Sequence, residues 1–339
     1  MTGPMRLMLL CPGRGSYGRE QLGSLPSDSP VLDGLDAFRA DLGRATLRQM
    51  DSAERFGSKL HVAGENASIL TFGATLADLE ALDPSKGRLV CVAGNSMGWY
   101  TALGASGALP LPEAARLVET MGGYQAGNVL GGQVLYPTTD EDWRPDPLLQ
   151  RSVDEALTWP GVELSIRLGG VAVLAGPREA VRRLLSELPE LVRGPRSFPM
   201  QLPLHSAFHT SVMQGASERA AQELGDLDMR SPLLPLIDGL GRLHARWADP
   251  ALLLDYTLGA QVTETFDLSA CLRAGLQDYA PDAVLLPGPG ETLGGAVAQV
   301  MIGLGWRGLR DRQDFFEAQS GPRPVVVSMC RPDQRAWVA

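Results

Sequence analysis

The stretch Leu89-Val90-Cys91-Val92-Ala93-Gly94-Asn95-Ser96-Met97-Gly98-Trp99-Tyr100 constrains this chain more than any other. Its first five residues are apolar and partly β-branched, the pattern of a buried strand, and the residues after Gly98 begin a helix. Between them lies Gly94-Asn95-Ser96-Met97-Gly98, which fits the G-x-S-x-G nucleophile elbow. A serine presented at such a turn sits in strained backbone, so its neighbours two away must be small. The helix that follows aims N–H groups and its positive dipole end at charge developing beside the serine. In a chain with 39 glycines the bare pattern also arises as a plain turn. Its place between strand and helix is what makes Ser96 a candidate nucleophile.

Composition removes several function classes. With 339 residues there is room for one large domain or two smaller ones. A net charge of −9 and the lack of any basic block argue against a nucleic-acid binder. Cys11, Cys91, Cys271 and Cys330 are far apart, as buried reduced thiols would be, and His61, His205, His209 and His244 lack zinc spacing, so no metal is expected. No apolar run reaches the roughly 18 residues of a membrane span. The apolar patch within Met1 to Leu10 is about five residues, too short for a signal peptide. The expectation is a cytoplasmic protein without a membrane partner.

Along the chain, Met5 to Cys11 is a first strand closed by Pro12-Gly13-Arg14-Gly15-Ser16. That turn has no Walker lysine and no G-x-G-x-x-G, so it more economically holds a backbone N–H close to another group. Helices are expected over Ala67 to Leu82, Tyr100 to Ala108 and Leu111 to Gln125. From Gly131 the character changes. Strands at Gln133 to Pro137, Val162 to Arg167 and Val171 to Ala175 alternate with helices at Asp146 to Leu157 and Pro177 to Leu188. They form a small ferredoxin-like α+β insert over 131–199. A helix from Val212 to Leu224 follows, then a helix from Leu268 to Leu276, a strand at Ala283 to Leu286, and the turn Pro287-Gly288-Pro289-Gly290. The predicted fold class is α/β: an α/β-hydrolase-like large subdomain with a parallel sheet (1–130 and 200–304), the small insert, and a C-terminal extension over 305–339. In that extension Pro324 to Met329 could add one strand.

In this order the pieces resemble the malonyl-CoA:acyl carrier protein transacylase family, which includes the acyltransferases of polyketide synthesis. The resemblance covers roughly residues 5 to 304. The family's F-P-G-Q-G-S is similar to Cys11-Pro12-Gly13-Arg14-Gly15-Ser16, and its G-H-S-L-G-E-Y-x-A-L to Gly94 through Leu103. Its G-A-F-H-S-P-L-M resembles Ser206-Ala207-Phe208-His209-Thr210-Ser211-Val212-Met213. Gln261-Val262-Thr263 and Pro287-Gly288-Pro289-Gly290 match two further motifs. The resemblance implies a serine–histidine dyad that takes an acyl group from a thioester and passes it to a phosphopantetheine thiol. Ser96 would be the nucleophile and His209 the general base. A serine hydroxyl needs such a base at neutral pH. The residues alone leave His205 and His209 open; the family frame selects His209, whose action would fade below about pH 6–7 if its pKa were ordinary. The same resemblance implies orientation of His209 by the backbone carbonyl of Gln261, and an oxyanion hole from the N–H groups of Arg14 and Met97. It implies no bound cofactor, with phosphopantetheine-linked substrates (coenzyme A thioesters and an acyl carrier protein) as partners.

The departures are informative. Malonyl-handling members carry an arginine in a helix reading L-V-x-x-R-G. Here Leu117-Val118-Glu119-Thr120-Met121-Gly122 puts Met121 in its place. That arginine pairs bidentately with the substrate's free carboxylate. Asn95 replaces the elbow histidine, Trp99 a common glutamate, and Asn66 stands near an expected glutamine. Phe208 matches malonyl-type members, in which it excludes an α-methyl branch. Asn95, Met121, Phe208 and Asn66 are thus the expected substrate-binding residues. The leading expectation is an acyltransferase for an acyl group without a free carboxylate, moving it to a carrier protein. One alternative is a hydrolase that clears stalled acyl groups from carriers. Another is a conventional malonyl transferase with a relocated clamp, Arg14 being its first candidate. An α/β-hydrolase esterase is disfavoured because no histidine follows His244. A catalytically silent carrier-binding subunit is disfavoured because both Ser96 and His209 are present. Arg178, Arg182, Arg183, Arg193 and Arg196 mark an expected basic surface for an acidic carrier protein.

Overall fold

The computed structural model describes residues 3–124 and 129–339. Gln125, expected to end a helix, and Met1, the first residue of the stretch weighed as a signal peptide, lie outside the described residues. The strands in chain order are β1 (Met5–Cys11), β2 (Gly87–Gly94), β3 (Gly132–Pro137), β4 (Glu163–Leu168), β5 (Val171–Gly176) and β6 (Leu191–Arg193). They continue with β7 (Arg196–Phe198), β8 (Met200–Gln201), β9 (Leu236–Ile237), β10 (Leu243–His244), β11 (Phe266–Asp267), β12 (Ala283–Leu286) and β13 (Val326–Ser328).

The main sheet has the order β10-β9-β2-β1-β12-β13 and is parallel except for β10. β1 and β12 are nearly continuous apolar runs because helices cover both faces of such a sheet. The helix Gly64–Glu80 is buried almost all round from Ala67 to Ala77, as its weakly amphipathic sequence requires. The helix Leu111–Gly123 is more one-sided: it buries the adjoining rows Ala114, Leu117, Val118 and Met121 and Ala115, Glu119 and Gly122, while Pro112 stays exposed. It starts at the Pro110 and Pro112 signals that the sequence offers.

The small sheet has the order β11-β4-β5-β3-β8. Its side chains alternate with period two. Val134, Tyr136, Ala172 and Leu174 join the core that holds residues of helices Pro147–Ala156 and Arg178–Glu187, while Ile166 and Val173 belong to the main core. The 131–199 boundary is therefore too narrow for the sheet itself. β8 and β11 lie outside it in sequence, yet they pair with β3 and β4.

The extension is packed against the main sheet. β13 pairs with β12, and Arg335 Nη1 lies 2.7 Å from Asp78 Oδ1, whose other oxygen accepts the Gly288 N–H at 2.6 Å. It thereby braces the Pro287–Gly290 turn beside the cavity described below.

One buried ion cluster stiffens the Leu111–Gly123 helix. Glu119 bonds Arg39 and Arg44, and the Arg39 and Glu119 side chains are 2% and 4% exposed. Removing one charge from a buried pair leaves the other unpaired and costs about 3–5 kcal/mol. Glu119→Gln should therefore lower the unfolding free energy obtained from urea titration by an amount of that order, whereas Glu187→Gln, in an exposed pair with Arg183, should leave it nearly unchanged.

Candidate active site

The elbow is built by backbone crowding. A Cβ on Gly94 would collide with the Gly98 carbonyl and meet Trp99 N at 2.6 Å; one on Gly98 would collide with the Cys11 carbonyl and meet the Pro12 oxygen at 2.8 Å. Small residues two away from Ser96 are thus a steric requirement. Asn95 N–H donates to the Cys11 carbonyl at 2.9 Å, tying the turn to β1. Ser96 itself has φ +55°, the left-handed region that a non-glycine residue enters only under constraint.

Ser96 Oγ lies 2.8 Å from His209 Nε2, and His209 Nδ1 lies 2.7 Å from the Gln261 carbonyl. A carbonyl only accepts, so Nδ1 carries the ring hydrogen and Nε2 is left to accept the serine proton. His209 is 2% exposed, and its own N–H donates to the Val262 carbonyl at 2.8 Å. Burial pushes the imidazole pKa down to about 4, opposed in part by the Gln261 carbonyl, which favours the protonated ring. This moves the expected titration well below the ordinary range. His205 lies on the neighbouring strap with Nδ1 at 2.8 Å from the Pro203 carbonyl, and no hydrogen bond among the described residues joins it to Ser96. Its pKa is pushed down to about 3 by burial and by the charge of Arg14.

Ser96 and His209 open into a cavity of about 640 Å³. One wall comes from the large subdomain: Tyr17, Phe56, His61, Val62, Ala67, Val118 and Met121. Two of its polar side chains are engaged, since the Tyr17 hydroxyl donates to Asp51 and His61 Nε2 lies 2.9 Å from the Met50 carbonyl, while the Ser68 hydroxyl also lines it. Another wall is the inner face of the small sheet, with Leu135, Ile166, Leu168, Val171 and Val173, closed by Leu293 and Ala296. Arg14, Asn95, Met97, Phe208 and Gln261 also line the cavity. Arg14 Nη2 donates to the Leu204 carbonyl at 2.9 Å, while its Nη1 is buried without a partner among the described residues. Desolvation lowers that guanidinium to about 10. Asn95 Oδ1 is likewise buried and unpartnered among the described residues.

Two expected features lie elsewhere. Asn66 does not line the cavity; its Oδ1 accepts from Arg39 Nη2 at 2.8 Å and so serves the buried ion cluster, one residue before the wall formed by Ala67. Trp99 points into the core, donating to Thr257 Oγ1 at 3.0 Å and meeting Tyr256 edge-on at 5.2 Å. In the arginine cluster, Arg183 pairs with Glu187 and stacks over Trp159, and Arg193 pairs with Glu141. Arg178 and Arg182 are exposed, and Arg196 lines the cavity. Sequence reasoning missed His61, whose stacking on Phe56 at 4.8 Å has no local signal, and the side chain of Gln261, whose Nε2 donates to the Ser96 carbonyl at 2.9 Å. Among the described residues no group of His, Cys, Asp and Glu could hold a metal, and no helix is long and apolar enough to cross a membrane.

No family model matches the chain. Among curated proteins it is 25% identical over 237 residues to the malonyl CoA-acyl carrier protein transacylase of Salmonella typhimurium, covering 68% of this chain and 72% of that one. The corresponding Bacillus subtilis protein is 24% identical over 303 residues, covering 87% and 90%. Among solved structures, an acyl-carrier-protein S-malonyltransferase from Burkholderia pseudomallei superposes with a TM-score of 0.74 at 22% identity, covering 98% and 99%. A malonyl-transacylase in complex with its type II polyketide synthase acyl carrier protein gives 0.68 at 18% identity, covering 87% and 93%.

A general base must be neutral to accept the serine proton, so activity falls as pH drops through the base's folded-state pKa. With His209 lowered to about 4, acylation of Ser96 should stay near its plateau down to about pH 5 and halve near pH 4. Stopped-flow acylation across pH 3.5–8 in the folded protein measures this. An acid limb near 6.5 would mean that the ring is hydrated in solution.

Proposed function

We propose that this divergent member of the malonyl-CoA:acyl carrier protein transacylase family is an acyl carrier protein S-acyltransferase. The observation that carries the reading is the Ser96–His209–Gln261 alignment at 2.8 and 2.7 Å on one wall of the cavity. In the first half-reaction Ser96 Oγ attacks the thioester carbonyl while His209 Nε2 takes its proton. The thiolate leaves and is protonated by the imidazolium, so the acyl group rests on Ser96. The N–H groups of Arg14 and Met97 are the donors proposed for the tetrahedral oxyanion. A phosphopantetheine thiol of the carrier protein then attacks the acyl-serine by the reverse sequence. The small-sheet wall, ending at Arg196, suits an extended thioester arm.

The acyl group is proposed to lack a free carboxylate. Met121 stands where the family's arginine is expected, on a wall that carries no charged side chain and whose Tyr17 and His61 are already bonded. A thioether gives dispersion contacts but no charge-assisted hydrogen bond. A carboxylate left unpaired there would cost about 2–5 kcal/mol, or roughly 30- to several thousand-fold in rate. One observation favours a second reading: Arg14 Nη1 has no partner, and no Asp or Glu is among the described residues lining the cavity. Arg14 would then clamp a malonyl-type carboxylate from the oxyanion turn.

Intact-mass analysis of Ser96 with a panel of acyl-CoA thioesters, with carrier protein and free acid both quantified, separates these readings. Neutral acyl groups should load faster than malonyl, and Met121→Arg should move the preference toward malonyl by at least about 30-fold. Faster malonyl loading in the wild type, abolished in Arg14→Gln, selects the second reading. Release of free acid in preference to transfer would make the protein a hydrolase. No adduct on Ser96, or an adduct retained in Ser96→Ala, would remove the acyl-serine reading altogether.

Carrier docking is proposed at Arg178, Arg182 and Arg196, the members of the arginine cluster without a carboxylate partner among the described residues. Carrier affinity should weaken several-fold between about 50 and about 300 mM salt, and the triple alanine variant should flatten that dependence. Calorimetric titration at the two salt concentrations checks it.

A further inference from the structure

Both members of the dyad occupy left-handed backbone, Ser96 at φ +55° and His209 at φ +61°. Such conformations persist only where surrounding bonds over-determine them. One residue bonds to both. Gln261 offers its carbonyl to His209 Nδ1 at 2.7 Å, and its side-chain Nε2 donates to the Ser96 carbonyl at 2.9 Å. The orientation of the amide follows from chemistry: a peptide carbonyl cannot donate, so the nitrogen must face it. The Tyr256 hydroxyl lies 3.4 Å from Gln261 Oε1 and also accepts the Gly239 N–H at 2.7 Å, which fixes the far end of the amide to the β9 turn. Gln261 is 2% exposed, so water does not compete for these bonds.

We infer that the Gln261 side chain is a positioning residue for the nucleophile, independent of the role of its carbonyl toward the base. The carbonyl sets the tautomer and direction of the imidazole. The amide holds the Ser96 peptide, and with it the direction in which Oγ leaves the backbone. Both tethers start from one residue, so the Oγ–Nε2 separation is set by the geometry of Gln261 rather than by two elements packed separately. Misplacing a reacting atom by about 1 Å costs about 10²-fold, so holding this separation matters even with both dyad side chains present. The inference rests on the Ser96–His209 reading above.

The test uses the full-length protein and a fluorophosphonate probe, which reports nucleophile competence without reference to the natural acyl donor. Labelling of Ser96 is followed by intact mass from pH 4 to 9. Gln261→Met keeps the side-chain length and the main-chain carbonyl but removes the amide. Its maximal labelling rate should fall about 10- to 100-fold, with probe affinity within about twofold and the acid limb unmoved, because the bond to Nδ1 remains. Gln261→Glu should label as slowly and shift its acid limb upward, since a carboxylate near the ring favours the imidazolium. Tyr256→Phe should show a smaller loss of the first kind. A folded Gln261→Met that labels at the wild-type rate overturns the inference while leaving the dyad intact. A loss matched by a shifted acid limb in Gln261→Met also overturns it, because the effect would then pass through His209. Should Gln261→Met not fold, a wild-type rate in Tyr256→Phe overturns it instead. An unlabelled Ser96 in the wild-type protein removes the dyad reading, and the inference falls with it.

Discussion

The site depends on two stretches of backbone lying closer together than any side chain would permit. Gly98 rests against the carbonyls of Cys11 and Pro12, and Gly94 against the Gly98 carbonyl. This contact lets β1 and β2 deliver the Gly13–Ser16 turn and the elbow to one point, where Arg14 and Ser96 line the same cavity. It also forces Ser96 into left-handed backbone, a cost of order 1–3 kcal/mol for a non-glycine residue. That cost is offset by hydrogen bonds that would otherwise have little reason to converge there: Asn95 to Cys11, Trp99 to the Ser96 carbonyl, and Gln261 to the same carbonyl.

Much of this was legible in the sequence because it is local. The strands Met5–Cys11 and Ala283–Leu286 agree residue for residue with their apolar runs, and Val171–Gly176 to within one residue. Helix starts followed the proline signals. What escaped was non-local or too short to have a period. β8 and β11 are two residues each, and they exist only because β3 and β4 offer unpaired edges. Residue type alone left His205 and His209 tied, since both lie on one strap; the difference is which ring meets Ser96 across more than a hundred residues of chain. The depressed pKa of His209 comes from burial, which no motif encodes. Asn66 shows the opposite failure. Its neighbour Ala67 faces the cavity, but the helix turns Asn66 toward Arg39 instead.

The cavity also sets two chemical tendencies against each other. Its large-subdomain wall is mostly apolar and carries no charge, with Tyr17 and His61 internally bonded, the surroundings in which the proposed uncharged acyl chain would bury its surface. The guanidinium of Arg14 enters from the turn opposite and carries no counter-charge among the described residues. The helix thus offers the cavity a thioether at Met121, and the turn a guanidinium at Arg14. Met121 and Arg14 therefore belong together in any account of what this site accepts. The Glu119–Arg39 pair keeps the Met121 helix where that contest is decided.

The two short strands outside the insert have a mechanical consequence. β8 ends eight residues before His209, and β11 begins five residues after Gln261. The base and the residue that orients it thus hang from opposite edges of the small sheet, whereas Ser96 is anchored in the main one. Gln261 also reaches the main sheet, directly through the Ser96 carbonyl and through Tyr256 to the turn after β9. The small sheet therefore cannot shift against the main one without loading these bonds. The dyad is thus a rivet between the two sheets as well as a catalytic pair.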